Sequence, residues 1–186
     1  MANISMTEVP LICHAESKTA GVDAISVSIT RGQSGEVTLR YCMVGALDTL
    51  EIASLATAKR VDGLWKSTCF ELFIGNFEDE HYLEYNFSPS RQWAAYQFEG
   101  YRSDMVDLVT TAPNIRVEQN VDAHTLIATI ALPDAWQERD LSAGVSAVIA
   151  TKSGDVSYWA LAHPRGKPDF HHKDCFALQL EARSAS

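Results

Sequence analysis

The feature that most constrains this chain is a succession of short segments in which apolar and polar residues alternate, separated by turns rich in Gly, Pro, Asn and Asp. Such alternation is typical of half-buried β-strands, because successive side chains of a strand point to opposite faces. Segment 36–44 is the clearest, with Val37, Leu39, Tyr41 and Met43 on one side. Strands are predicted at 24–31, 36–44, 68–75, 82–88, 92–98, 115–121, 125–132, 145–152, 156–162 and 174–180.

About ten strands with few helix signals predict two packed sheets. A chain of 186 residues, 46% of them hydrophobic, is long enough to bury one core without disulfides or metals. The best helix signal is a single turn at 133–138, where a proline precedes acids, while 47–59 fits either strand or helix. We therefore expect an all-β protein, a jelly-roll-like antiparallel β-sandwich forming one domain over residues 1–186.

Two of the predicted strands carry acids and an amide on a common face. Alternation places Glu71, Glu84 and Asn86 on one side of the sheet. The residues predicted on the opposite, core-facing side are Phe70, Leu72, Ile74, Leu83, Tyr85 and Phe87. The next segment, 91–98, is predicted to add Arg91, Trp93, Ala95 and Gln97 to the polar face. A face that mixes charge, amide and flat aromatic surface suits a sugar.

Charge and hydropathy exclude several classes of partner. The formal net charge is −9 and the pI is about 5, with no basic stripe of the kind that phosphate backbones or anionic lipids require. The first residues lack the pattern of a signal peptide, and no apolar run is long enough to span a bilayer. We expect a cytoplasmic protein whose partner is a small sugar-like molecule, without nucleic acid or membrane.

The four cysteines are spread along the chain, at positions 13, 42, 69 and 175, with no Cys-x-x-Cys spacing. Neither a zinc knuckle nor a thioredoxin-like redox pair is indicated. In a chain without an export signal, reduced and buried thiols are the favoured interpretation over disulfides.

Three motifs carry a resemblance to a known superfamily: Asp-Gly-Leu-Trp at 62–65, Cys-Phe-Glu-Leu-Phe-Ile at 69–74 and Tyr-Leu-Glu-Tyr-Asn-Phe-Ser-Pro at 82–89. They are similar to DOMON-like domains and family 9 carbohydrate-binding modules. A looser resemblance continues through 158–161 and 170–172 to the last strand, so it covers most of the chain. It implies a β-sandwich that binds carbohydrate.

The resemblance also implies a binding site. In family 9 modules a tryptophan before a strand, a glutamate on that strand and a late tryptophan clasp a terminal sugar, which corresponds here to Trp65, Glu71 and Trp159. Arg91 and Asn86 match supporting polar positions. Two ordinary alternatives remain open: Trp159 fills the core, and the acids are solvated residues that pair with Arg91 across an exposed face.

The physical case for a sugar is independent of the resemblance. Pyranose rings expose C–H patches that pack on aromatic faces, while their hydroxyls need donors and acceptors at fixed positions. Trp65 and Trp159 are the candidate faces. The candidate hydroxyl partners are Glu71, Glu84, Asn86 and Arg91.

The loop 163–172 is the second dense region, with three histidines, an acid and two cations. If Trp159 lines a site, His163, Arg165 and Lys167 are predicted at its mouth, where they suit an acidic or phosphorylated sugar. A metal site in which one of His171 and His172 joins His163 and Asp169 is a rival interpretation, although the spacing of a three-ligand zinc site is not evident. A merely solvated loop is the third.

Three other functions remain as alternatives. Some DOMON domains bind haem through a methionine and a histidine, for which Met43 and His163 are candidates. Glu71 and Glu84 on neighbouring strands have the composition of a glycoside-processing pair. A protein-interaction module is the last. We favour non-catalytic binding, and we expect no catalytic residue, cofactor or metal.

Overall fold

The computed structural model describes residues 8–19, 21–32, 35–76 and 79–182. Within these ranges the chain is built from short β-strands joined by turns and single-turn 3-10 helices. The strands are β1 (Glu8–Pro10), β2 (Ile12–Cys13), β3 (Val22–Arg31), β4 (Glu36–Gly45), β5 (Cys69–Gly75), β6 (Tyr82–Phe87), β7 (Trp93–Phe98), β8 (Val106–Asp107), β9 (Asn114–Gln119), β10 (Ala123–Ala131), β11 (Leu141–Ala150), β12 (Val156–Ala160) and β13 (Leu178–Leu180). The 3-10 helices are Leu47–Thr49, Leu64–Lys66, Asp134–Trp136 and Lys173–Cys175.

The strands form two antiparallel sheets. The smaller sheet has the order β1-β3-β4-β10-β9, and the larger has the order β2-β12-β11-β5-β6-β7-β8. The last strand, β13, also pairs with β11, at Leu141–Ala143, away from the part of β11 that pairs with β12. The predicted antiparallel β-sandwich is confirmed.

The main core lies between the two sheets. Leu39 and Met43 of β4 and Leu72 of β5 are fully buried there, as the alternation predicts. Each such side chain contributes roughly 1.5–3 kcal/mol of transfer free energy. Tyr41 adds a polar link, because its buried hydroxyl donates a 2.7 Å hydrogen bond to the backbone carbonyl of Glu71 in the other sheet.

The end of β3 is fastened to the larger sheet by Arg31. Its guanidinium donates hydrogen bonds of 2.7 to 3.1 Å to backbone carbonyls in the segment before β11 and at the end of β13. The acceptors are Trp136, Gln137, Arg139, Leu180 and Glu181. One side chain thus ties the turn before β11 to the C-terminal end of β13.

Each predicted strand has a counterpart, with boundaries that differ by a few residues. The prediction at 174–180 was too long, because a 3-10 turn occupies Lys173–Cys175 and only Leu178–Leu180 is extended. The short strands β1, β2 and β8 were missed, since two or three residues carry no readable alternation. The region 47–59 begins with a 3-10 turn and continues without regular structure, apart from a single β-bridge between Leu50 and Thr151.

Candidate functional site

The outer face of the larger sheet, opposite the main core, is buried under loops. Alternation along β5, β6 and β7 turns Phe73, Tyr82, Tyr96 and Phe98 outward, into a second apolar cluster. The loops add Leu64, Phe170, Cys175 and Phe176 to that cluster. This sheet face is therefore an interior surface, and the polar side chains on it are held in a largely dry setting.

A cavity of about 410 Å³ opens on this face, within the size range of small-molecule sites. We call it the sheet-face pocket. Its lining residues are Trp65, Glu71, Phe73, Glu84, Phe98, Arg102, Met105, Val148, Tyr158, Pro168, Phe170 and His171. Five of these twelve residues are Trp, Phe or Tyr, and two carry carboxyl groups.

The two carboxyl groups stand on neighbouring strands. In the β5–β6 register Glu71 faces Asn86 directly, and Glu84 lies one diagonal step away. Glu71 is 3% exposed and Glu84 is 5% exposed. The Ser146 hydroxyl donates a 3.1 Å hydrogen bond to Oε2 of Glu71, and Nδ2 of Asn86 donates one of 2.7 Å to Oε1 of Glu84.

Burial raises the pKa of both glutamates above the usual carboxyl range, because a charged carboxylate is poorly solvated there. Repulsion from Glu84 raises the pKa of Glu71 further. The hydrogen bonds from Ser146 and Asn86 and the charge of Arg102 oppose the shift without cancelling it. The two groups therefore titrate as a pair that retains a proton more readily than ordinary glutamates do.

His171 lies beside the pair in its neutral form. Burial and the charge of Arg102 lower the pKa of His171 to about 4. The Tyr82 hydroxyl accepts a hydrogen bond from the backbone N–H of Arg102, so its own proton is available for Nδ1 of His171 at 2.7 Å. This pattern assigns the imidazole proton to Nε2, which lies 3.8 Å from Oε2 of Glu84.

Asp169 joins two loops at the rim of the pocket. Its carboxylate accepts a hydrogen bond from the Tyr101 hydroxyl and pairs with Nη2 of Arg102 at 2.8 Å. It also accepts the backbone N–H of His171 at 3.2 Å. The loop after β7 and the loop after β12 are thus fastened to each other where both contribute residues to the pocket.

Trp65 occupies the 3-10 turn that precedes β5. Gly63 enters this turn with a φ of +76°, in the left-handed region that favours glycine. The indole makes an edge-to-face contact with Tyr96, at 5.9 Å between ring centroids, and the residue remains 38% exposed. Tyr96 is itself held by Asp62, which accepts its hydroxyl at 3.0 Å. Aromatic surface is therefore presented to the pocket by a supported side chain.

The structure brings together part of the predicted site. Trp65, Glu71 and Glu84 line the pocket, and Asn86 lies under Glu84 as its hydrogen-bond donor. The predicted common face of Glu71, Glu84 and Asn86 is confirmed. Their role in binding a ligand stays a prediction.

The placement of Trp159 in the pocket was wrong. Trp159 is 5% exposed in the main core, where its Nε1 donates a 2.9 Å hydrogen bond to the Ser157 hydroxyl. Its neighbour Tyr158 faces the other way and lines the pocket. Both faces of β12 carry an aromatic residue, so alternation alone does not tell which of Tyr158 and Trp159 faces the core. The sheet register decides this, because Trp159 is paired with Ala147, which points into the main core.

The assignment of Arg91 and of the β7 face was also wrong. Arg91 lies in the turn before β7, with a φ of +72°, and its guanidinium donates to the carbonyl of Ala56 at 3.1 Å. Trp93 and Ala95 point into the main core. The residues of β7 on the pocket face are Ala94, Tyr96 and Phe98. Aromatic residues on both faces of this strand concealed its orientation.

The loop 163–172 does reach the pocket, as predicted, but through other residues. Pro168, Phe170 and His171 line the pocket. His163 instead donates from Nε2 to the carbonyl of Ile12 at 2.8 Å and fastens the loop to β2. Arg165 lines an open groove beside the pocket.

Sequence reasoning missed several lining residues. Arg102 and Met105 come from a loop with no motif, and Phe73 and Phe98 were not singled out in the sequence. Phe73 follows Glu71 by two residues on β5, so both side chains lie on the same face of the sheet. This spacing was a usable signal that Phe73 is near the candidate site. For the two loop residues no local signal exists.

The alternative ligand sets are not assembled in the part of the chain that the structure describes. No group of three or more His, Cys, Asp and Glu side chains there has an arrangement that fits a metal ion. Met43 is fully buried in the main core, whereas His163 contacts His14 and Phe170 on the pocket side of the larger sheet. The four cysteines are free thiols.

Membrane crossing by a helix finds no support in the described ranges: none of their helices combines enough length with enough apolar character.

Comparison with known proteins identifies similar structures but no sequence relative. No known protein-family profile matches the chain, and no curated protein sequence matches it. A proposed carbohydrate-binding protein from Bacteroides uniformis aligns over 91% of this chain and 84% of its own, with 11% identity and a TM-score of 0.64.

Two further similar structures are of a family 9 carbohydrate-binding module from Caldicellulosiruptor kristjanssonii. The complex with glucose aligns over 97% of this chain and 86% of the module, with 11% identity and a TM-score of 0.59. The complex with cellotriose aligns over 87% and 75%, with 10% identity and a TM-score of 0.57. Identities this low establish architecture alone. The chain therefore has the β-sandwich fold of family 9 carbohydrate-binding modules.

Proposed function

We propose that the sheet-face pocket binds a small carbohydrate without turning it over. The observation that carries this proposal is the joint presence in one pocket of the partly exposed indole of Trp65 and the buried carboxyl groups of Glu71 and Glu84. Aromatic surface packs against the C–H face of a pyranose, and carboxylate oxygens accept hydrogen bonds from its hydroxyls. The fold, shared with modules solved in complex with glucose and cellotriose, supports the same ligand class.

The bound ring has aromatic partners from separate segments. Trp65 enters from the turn before β5, Phe170 from the loop after β12, and Tyr158 from β12 itself. Phe170 and Tyr158 contact each other at 6.1 Å between centroids. A ligand that contacts both Trp65 and Phe170 is held by two segments that are far apart in sequence, which favours one defined orientation.

A glycoside-processing enzyme is the second candidate, because Glu71 and Glu84 are buried carboxyl groups with raised pKa values. Glycoside hydrolysis needs its two carboxyl groups on either side of the scissile bond. Glu71 and Glu84 rise from the same face of one sheet and approach a ligand from the same side. This arrangement favours binding over cleavage.

Isothermal titration with glucose and with cellotriose tests the proposal. We expect saturable binding to the wild-type protein and a loss of about tenfold or more in affinity for Trp65→Ala. Leu55→Ala is the matched control, since Leu55 is 62% exposed and lies outside the pocket. Absence of binding to a panel of neutral and charged sugars would refute the proposal, and release of 4-nitrophenol from aryl glycosides would favour the enzyme.

A further inference from the structure

The carboxyl pair in the sheet-face pocket has unused hydrogen-bonding capacity. An ionised carboxylate accepts about four hydrogen bonds. Within the described residues Glu71 accepts one side-chain hydrogen bond, at Oε2, and Glu84 accepts one, at Oε1. Oε1 of Glu71 and Oε2 of Glu84 have no hydrogen-bond donor there, and Nε2 of His171 is 3.8 Å away. Both glutamates line the pocket, so a ligand that enters it can supply donors to these atoms.

The charge of the pair is also not neutralised by contact. No lysine or arginine of the described ranges forms an ion pair with Glu71 or Glu84. Arg102, the cation in the pocket lining, is engaged by Asp169 at 2.8 Å. The remaining neighbour, His171, is neutral near pH 7. Two buried acids without a contacting cation are costly to ionise together.

The aromatic part of the lining attracts a cation. Five aromatic rings surround the acids, contributed by Trp65, Phe73, Phe98, Tyr158 and Phe170. Aromatic faces attract ammonium groups through the ring quadrupole, and the attraction is stronger away from water. An ammonium group carries three N–H donors, whereas a hydroxyl carries one, so it matches the free oxygen atoms of both carboxylates.

We infer that the preferred ligand of the sheet-face pocket carries a protonated amino group, and that the carboxyl pair is its recognition element. This inference rests on the proposed function and names its ligand class as amino sugars. Neutral sugars meet the pair with uncharged hydroxyls and gain less, because their hydrogen bonds to a carboxylate lack the Coulomb attraction between opposite charges, which is stronger away from water.

Titration calorimetry with three related sugars near pH 7 tests this selectivity, since an amine of this kind is still largely protonated there. The sugars are glucosamine, glucose and N-acetylglucosamine, in which the same nitrogen is an uncharged amide. We expect glucosamine to bind about tenfold or more tightly than either of the others.

Glu84→Gln keeps the shape of the pair but limits it to one negative charge when a cation binds, so it should lower the glucosamine-to-glucose affinity ratio by about tenfold. Glu118→Gln, an exposed change on β9, should leave the ratio unchanged. Equal affinity for glucosamine and glucose, or an unaltered ratio in Glu84→Gln, would overturn the inference and leave the proposed function standing. Binding neither by these three sugars nor by cellotriose and the wider sugar panel would refute the proposed function itself.

Discussion

Glu71 and Glu84 lie one diagonal step apart on β5 and β6, both buried on the outer face of the larger sheet. Ser146 donates a hydrogen bond to one and Asn86 to the other, and no lysine or arginine of the described ranges is paired with either. Because buried like charges destabilise a folded protein, this pair lowers the free energy of unfolding. The cost is measurable through its dependence on pH.

The stability gained by Glu84→Gln should grow as the pH rises. The pKa of both glutamates is raised in the folded protein, so above about pH 4.3 the folded state holds protons that the unfolded chain has released. Stability falls with pH wherever the folded state binds more protons. Relative to wild type, Glu84→Gln should gain roughly 1–3 kcal/mol in free energy of unfolding between about pH 4 and pH 7.

Urea denaturation across this range measures the difference. Burial and the charge of Arg102 lower the pKa of His171 to about 4, so this residue makes the free energy of unfolding rise with pH between about pH 4 and pH 6.5. Wild type and Glu84→Gln share this contribution, so it cancels in the difference between them. Glu118→Gln should show no such trend. A constant difference between Glu84→Gln and wild type would mean that the pair is not strained.

The two tryptophans Trp65 and Trp159 should respond differently to replacement by alanine. Trp159 is 5% exposed in the main core, so Trp159→Ala should cost roughly 3–5 kcal/mol of stability. Trp65 is 38% exposed, so Trp65→Ala should cost about 1 kcal/mol and act mainly on sugar binding. Chemical denaturation combined with calorimetric titration of the folded fraction separates the two effects. Similar stability losses for both variants would contradict the assignment.

The link at Asp169 should stabilise the pocket rim. Asp169→Ala removes the acceptor for Tyr101, Arg102 and the backbone N–H of His171, and we expect a loss of roughly 1–3 kcal/mol. Ligand dissociation should become faster, because both loops contribute to the pocket. The comparison variant is Asp79→Ala, which breaks the exposed pair with Arg139 and should cost less than about 1 kcal/mol. Equal losses of stability in the two variants would show that the contacts of Asp169 contribute no more than an exposed ion pair does.

Arg31 should resist conservative replacement. Its planar guanidinium donates to five backbone carbonyls, from Trp136 to Glu181, and a lysine ammonium has only three donors without the fork geometry. We expect Arg31→Lys to cost roughly 2–4 kcal/mol. The measurement is urea denaturation, with the exposed Arg116→Lys on β9 as control. A cost below about 0.5 kcal/mol would show that these bonds are individually dispensable.

The strands and one half of the candidate site could be predicted from the order of the residues alone. On β4 and on Cys69–Ile74, every second residue is apolar and faces the main core, and a period of two is a local property of an extended chain. This is why the shared face of Glu71, Glu84 and Asn86 was predictable. The fold class followed from the same pattern, because many short alternating segments have few architectures available other than packed sheets.

The other half of the candidate site depends on how distant parts of the chain pack together. On β7 and β12 both faces carry aromatic residues, so burial is favourable in either orientation, and the hydrogen-bond register with the neighbouring strand fixes which ring faces the core. Tyr158 therefore lines the pocket while Trp159 is buried. Arg102 and Phe170 meet at the pocket because Asp169 fastens two loops that are far apart in sequence. Such contacts depend on distant residues and leave no local pattern.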